Sequence, residues 1–334
     1  MASNHSSNPA TACSISCNLC DGTDVEQIRS KDRDGNPLRS VICHDCGLVW
    51  TDPRPTPEQV RAFYASEYRL DFKGTYQPKL KHTFRSGKVA MDRFSRMRQV
   101  LPKDARILDV GAGGGEVVYV LRALGFDASG LEPNEGYARY AAETLGLPVR
   151  QGFHQDELVE AQSQDAITMF HMVEHLENPL AALRNVHRWL RPGGVLVVEV
   201  PNVEAVCQQP HSQFHRGHLY HFNFATLEKL GERAGFNAIE RHASADNGNI
   251  MVIFRKREVA AVGPWRVPGN CQRVTAILRG HTALTHAFNA QFYLRPWRKL
   301  ANGLAEKRAV RRFGNARALL DAAVTQGPDQ RRTP

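Results

Sequence analysis

From Ala105 onward, apolar runs of strand length alternate with stretches of helical spacing. ARILDV (105–110) is a buried strand and GEVVYVLRALGF (115–126) its crossover helix. DASGLE (127–132) and NEGYARYAAETLG (134–146) form the next strand and helix, and LPVRQG (147–152) the third strand. DAITMFH (165–171) is a fourth strand, and NPLAALRNVHRWL (178–190) an amphipathic helix that starts on a proline. After the turn Arg191-Pro192-Gly193-Gly194 comes a fifth strand, GVLVVEVPN (194–202). A helix, ATLEKLGERAGF (225–236), precedes two runs, NAIERHASA (237–245) and NIMVIFRKR (249–257), spaced as a hairpin. Strands alternating with helices predict a parallel sheet covered on both faces, with the final hairpin adding an antiparallel strand.

The flanks have other patterns. A small polar leader, 1–12, is expected to be disordered, and cysteines cluster over 13–55. A Pro-rich connection, Asp52 to Pro57, leads into helical spacing from Glu58 to about Leu101, a cap or linker over 56–103. The α/β block occupies 104–257, and 258–334 is a mainly helical extension. The net charge of +9 is uneven: from Arg255 to the end there are sixteen Lys/Arg against four Asp/Glu, leaving the rest mildly acidic. A basic extension suits an anionic partner, whether nucleotide, nucleic acid or membrane surface, or serves as a solvated helix face. No apolar run approaches a membrane span, and the N-terminus lacks a secretory pattern, so a cytoplasmic protein with reduced thiols is expected.

The strongest chemical signal is Leu108-Asp109-Val110-Gly111-Ala112-Gly113-Gly114-Gly115-Glu116, between a strand and a helix. Glycines let the backbone turn tightly and approach a ligand, and the open N–H groups at a helix start favour a carboxylate. A nicotinamide dinucleotide wants G-x-G-x-x-G, and Glu116 stands where the third glycine would be. Carboxylates such as Asp109 repel a pyrophosphate but tolerate a cationic ligand such as S-adenosylmethionine (SAM). Glu132, at the end of the second strand, suits a ribose diol.

These features resemble class I SAM-dependent methyltransferases over about 105–255. The match rests on the D-x-G-x-G-x-G turn, Glu132, the segment Phe170-His171-Met172-Val173-Glu174-His175 and the Arg-Pro-Gly-Gly turn. The resemblance implies a Rossmann-like seven-stranded sheet. It implies SAM held by Asp109, Gly111, Gly113, Gly115, Glu132, Pro133 and Phe153, with backbone contacts near His171. It also implies a covering segment containing Tyr64, Tyr68 and Tyr76.

Cys17-x2-Cys20 and Cys43-x2-Cys46 are two knuckles with glycine-bearing turns, the pattern of a closed, structural tetrahedral zinc site. This stretch, continuing through Phe63-Tyr64-Ala65-Ser66-Glu67-Tyr68, resembles the N-terminal ribbon of bacterial methyltransferases associated with sugar and polysaccharide modification.

For catalysis, His175 is the candidate base, Glu174 its orienting partner, and His171 a further candidate, all just past the fourth strand. H-x-x-E-H also matches an inverted zinc-protease motif, but that needs a helix where a strand runs up to His171. Ubiquinone-pathway O-methyltransferases are similar here, with an acid in place of His171 and a divalent metal associated with the segment. A second cluster, His211, His215, His218 and His221, is expected in a loop over the cleft, with His221 as a candidate catalytic group. The sequence reading is methyl transfer to a small-molecule, sugar or nucleotide-sugar acceptor, at oxygen or carbon. An RNA methyltransferase and a non-catalytic interaction protein are the alternatives. No Asn-Pro-Pro-Tyr type sequence follows the fourth strand.

Overall fold

The computed structural model describes residues 15–62, 78–156, 158–259 and 262–327. The leader, Cys13 and the tyrosines Tyr64, Tyr68 and Tyr76 lie outside the described residues.

Seven strands form the central sheet: β4 (Arg106–Val110), β5 (Asp127–Glu132), β6 (Val149–Gln151), β7 (Gln164–Phe170), β8 (Leu190–Pro201), β10 (Phe236–Ala243) and β11 (Asn249–Lys256). Their order is β10-β11-β8-β7-β4-β5-β6. β8, β7, β4, β5 and β6 run parallel, and β11 pairs antiparallel with both β8 and β10. This matches the Rossmann-like sheet and antiparallel hairpin that the patterning predicts. The Arg191–Gly194 stretch is drawn into the start of β8 as an irregularity in its pairing with β7.

Strand alternation divides the core between the two faces. Leu196, Val198 and Val200 of β8 and Ile250, Val252 and Phe254 of β11 point to one side. There they meet α5 (Pro179–Trp189) and α6 (Phe224–Arg233) through residues such as Trp189, Leu227 and Leu230. Val195, Val197, Met251 and Ile253 point to the other side. They pack in the core of α2 (Leu80–Met97), α3 (Glu116–Ala123) and the C-terminal α10 (Ala316–Thr325). The helices start where side chains can cap them. Asn178 accepts from Ala181 N–H beside Pro179, and Asn223 and Thr226 form a reciprocal capping box. The helical spacing from Glu58 to Leu101 resolves into α1 (Pro57–Ala62) and α2 among the described residues.

The cysteine-bearing region is a second sheet of four strands: β1 (Val25–Lys31), β2 (Pro37–Cys43), β3 (Val49–Thr51) and β9 (Tyr220–His221). β9 comes from the loop after β8, pairing Tyr220 with Trp50 and His221 with Val49. The ribbon is thus stitched into the α/β body by a two-residue strand too short to show in the patterning. Helix α7 (Asn270–Gly280) buttresses it, with Asn270 Nδ2 donating to Cys46 O at 2.8 Å. Two further helices, α8 (Ala283–Ala287) and α9 (Ala290–Phe313), lead to α10.

Candidate active site

The parallel strands end on one edge, and β4 has β5 on one side and β7 on the other. This is the switch point where open α/β sheets bind ligands. A cleft of about 520 Å³ opens there. Gly111, Glu132, Pro133 and Phe153 line one end, and His171, Glu174, His175, His215 and His218 the other.

At the first end the turn is built around Glu132. Its Oε2 accepts from Gly113 N–H at 2.7 Å and its Oε1 from Asn134 N–H at 3.1 Å. Gly111, Gly113 and Gly115 all have positive φ (82°, 57° and 83°), so the motif's spacing meets a backbone demand. Gly111 alone of the three lines the cleft, and a Cβ there would sit 3.2 Å from Met172 Cγ. Gly115 instead lets α3 lie against Leu147 and Ala141. Asp109 is buried behind the turn, accepts from Thr168 Oγ1 at 2.6 Å and is not among the cleft-lining residues. Burial pushes its carboxyl up to about 6, against the Thr168 hydrogen bond and the Arg93 charge. Phe153 lies under the Arg61 guanidinium, 4.3 Å from ring to cation.

The second end is a charged relay. His171 follows β7 with φ 52° and places Nδ1 3.3 Å from Glu174 Oε1 and Nε2 3.2 Å from Glu199 Oε1. Burial disfavours its charge, but the two carboxylates outweigh this and raise its pKa to about 9. Arg93 reaches Glu199 from the other side at 2.5 Å. Burial opposes ionisation of Glu199, yet His171 and Arg93 hold its pKa near 2. Glu174 is fully buried but depressed by His175 and His171. Two cations and two anions leave the relay neutral.

His175 is oriented differently. Its Nδ1–H donates to Gly217 O at 2.5 Å, and its Nε2 stands 3.8 Å from Glu174 Oε1. Its ring packs edge-on against His218, whose ring lies 3.9 Å from that of His215. Burial lowers the pKa of both, that of His215 to about 4. His221 belongs to β9, with its ring buried against Phe214 at 4.5 Å, and does not line the cleft. Strand pairing with the ribbon turns it inward; His215 and His218 take the place expected of it. Glu174, His175 and His218 bring one ligand atom each within 4.8 Å of the others.

Sequence reasoning missed Gly217, Glu199 and Arg93. A carboxylate inside the apolar run of β8 was the one available signal for Glu199. Nothing local marked the Gly217 carbonyl, whose position is fixed by the loop's docking on the ribbon.

The four cysteines Cys17, Cys20, Cys43 and Cys46 gather with every Sγ within 4.8 Å of the others. Cys17–Cys46 and Cys20–Cys43 stand 3.4 Å apart, near the roughly 3.8 Å edge of a tetrahedron with zinc–sulfur bonds of about 2.3 Å. Gly22 closes over them; a Cβ there would sit 3.2 Å from Cys20 Sγ and 3.4 Å from Cys43 Sγ. Thiol–thiol hydrogen bonds pull Cys20 and Cys43 below the ordinary thiol range and push Cys17 and Cys46 above it.

Among known proteins, a family model described as a methyltransferase domain matches residues 81–241. The ubiquinone biosynthesis O-methyltransferase of Ruegeria pomeroyi is 36% identical over 102 residues, 29% of this chain and 41% of that protein. The enzyme of the same name from Dinoroseobacter shibae is 36% identical over 105 residues, 30% of this chain and 42% of that protein. The chain thus spans about two fifths of the length of these curated relatives. A SAM-dependent methyltransferase structure from Mesorhizobium loti aligns with a TM-score of 0.44 at 17% identity, covering 50% of this chain and 100% of that one.

Proposed function

We propose that this chain, whose residues 81–241 match a methyltransferase-domain family, is a class I SAM-dependent enzyme that transfers the methyl group of SAM to a hydroxyl of a small-molecule acceptor. The observation that carries this reading is the hydrogen bond from His175 Nδ1 to the Gly217 carbonyl, which orients the imidazole with Nε2 beside Glu174 in the cleft.

The residues fit the cofactor. Gly111 leaves room where a side chain would intrude, and Glu132 is a buried carboxylate at the end of β5 in the same cleft. Gly111, Glu132, Pro133, Phe153 and the His171 backbone would hold the cofactor, with Gly113, Gly115 and Asp109 shaping the turn behind it. Bound there, SAM supplies a methyl carbon activated by its sulfonium. His175 Nε2 takes the proton of the acceptor hydroxyl, and Glu174, kept ionised beside it, stabilises the resulting imidazolium. His171, whose two carboxylate neighbours favour its protonated form, suits that role less well and ties Glu174 to Glu199. The neutral balance of the relay spares a cationic cofactor net repulsion.

The cysteine group fits a structural zinc ion through Cys17, Cys20, Cys43 and Cys46, with four sulfurs and no open position. Its work would be to fix β3, and through β3 the β9 strand that ends the His215–His218 loop.

An imidazole base serves oxygen and carbon acceptors alike, and transfer to oxygen is favoured by the relatives, which are O-methyltransferases. The test is incubation with methyl-labelled SAM and a panel of phenols, nucleotide sugars and RNA. Label on a hydroxyl of a small molecule is expected. Label on RNA alone, or on carbon alone, contradicts the reading.

A further inference from the structure

Helix α9 is turned the wrong way round for a helix that merely caps a domain. Ala309, Val310 and Phe313 near its C-terminus pack inward with Phe84 and Leu319, but over the preceding turns the inward face is polar: Glu306 meets Arg85 at 2.7 Å and Arg295 meets Asp246 at 3.2 Å. Its outward face carries Tyr293, Trp297, Leu300 and Leu304, at helical spacing and all exposed, Trp297 by 73%. The stripe runs roughly 17 Å along the axis. Just before the helix, Phe288 is 83% exposed. Apolar residues on a core-facing helix point inward, and here the pattern is inverted.

The charges around the stripe are of one sign. The helix holds seven Lys/Arg against a single acid, Glu306, which is turned inward. Arg298 and Lys299 flank the stripe, and Lys307, Arg308 and Arg311 continue its outward face toward the C-terminus.

We propose that α9 is an in-plane docking helix for an anionic lipid bilayer, with Tyr293, Trp297, Leu300 and Leu304 entering the headgroup boundary and the flanking cations meeting lipid phosphates. An aromatic and aliphatic face rimmed by Lys and Arg is the composition of an interfacial helix. A nucleic-acid backbone would satisfy the cations but has nothing to offer Leu300 and Leu304. Among the described residues no helix is long and apolar enough to cross a membrane, so attachment by this helix is peripheral.

The test is co-sedimentation of the full chain with phosphatidylcholine vesicles, with and without about a third phosphatidylglycerol. Binding to the anionic vesicles alone, weakened by salt, is expected, with a blue shift in tryptophan emission that Trp297→Phe removes. Trp50 and Trp189 are buried and serve as silent references. The triple change Trp297→Ser, Leu300→Ser and Leu304→Ser should cut vesicle binding about tenfold or more while leaving the unfolding midpoint in place. Arg298→Gln with Lys299→Gln should cut it about tenfold. Four results would each overturn the proposal. These are no preference for anionic vesicles, vesicle binding untouched by the serine changes, retention on RNA without vesicle binding, or a stable dimer in solution that buries the stripe.

Discussion

His171 and His175 stand four positions apart and meet opposite conditions. His171 is held between two carboxylates that favour its charge; His175 instead donates from Nδ1 to a carbonyl. Replacing His175 by Ala is expected to leave SAM affinity unchanged and slow transfer by about 10²-fold or more. Unchanged turnover in a labelled-methyl assay would remove it from the mechanism. His171 makes a separate prediction. Its pKa rises on folding from 6.5 to about 9, so its stabilising effect is complete below pH 6.5 and is lost as pH climbs through 9. The unfolding midpoint should therefore decline between those values, and His171→Gln should flatten that decline. Glu174 stands one helical turn from His171 in sequence, but Glu199 comes from β8, and that distant contact is why the sequence placed His171 among the bases. Asp109 shows the same limit: the motif marked it, but only packing shows it beneath Thr168 and behind the cleft wall.

At the scale of elements, the glycine turn was fully legible because its requirements are local: three positive φ values and a helix start. The histidine loop was not, because its side-chain directions depend on β9 joining the ribbon sheet. That coupling is testable. Cys46→Ser is expected to abolish a stoichiometric zinc signal in metal analysis and to lower turnover roughly tenfold or more, while SAM binding at the sheet edge changes little. Equal loss of both would mean that the ribbon supports the whole fold instead of the loop. A second contact joins the C-terminal α10 to α2: a Cβ on Gly87 would lie 2.9 Å from Leu320 Cδ2 and 3.1 Å from Ala323 Cβ. Gly87→Leu should destabilise the protein by about 1–3 kcal/mol through overpacking, read as a lowered midpoint in denaturant.

For the molecule as a whole, the alternation of strands and helices implied a parallel sheet with an antiparallel hairpin but not its strand order, and the basic surplus of the C-terminal region suited either an anionic partner or a solvated helix face. What patterning could not supply was the way the loop after β8 lends the ribbon sheet its fourth strand and the way α9 lies beside a cavity of about 780 Å³. That cavity shares Gln208 with the active cleft, so the basic extension and the chemistry are neighbours. On the proposed reading the acidic body and basic extension have distinct tasks: one would hold a cationic cofactor against buried carboxylates, the other would present cations to a surface. The most direct measurement is calorimetric titration of the full chain and of Glu132→Ala with SAM and, separately, with NAD. One equivalent of SAM should bind the native chain, at least about tenfold more weakly after the substitution, and NAD should give no heat. Uptake of NAD without SAM, or SAM binding indifferent to Glu132, would contradict the account.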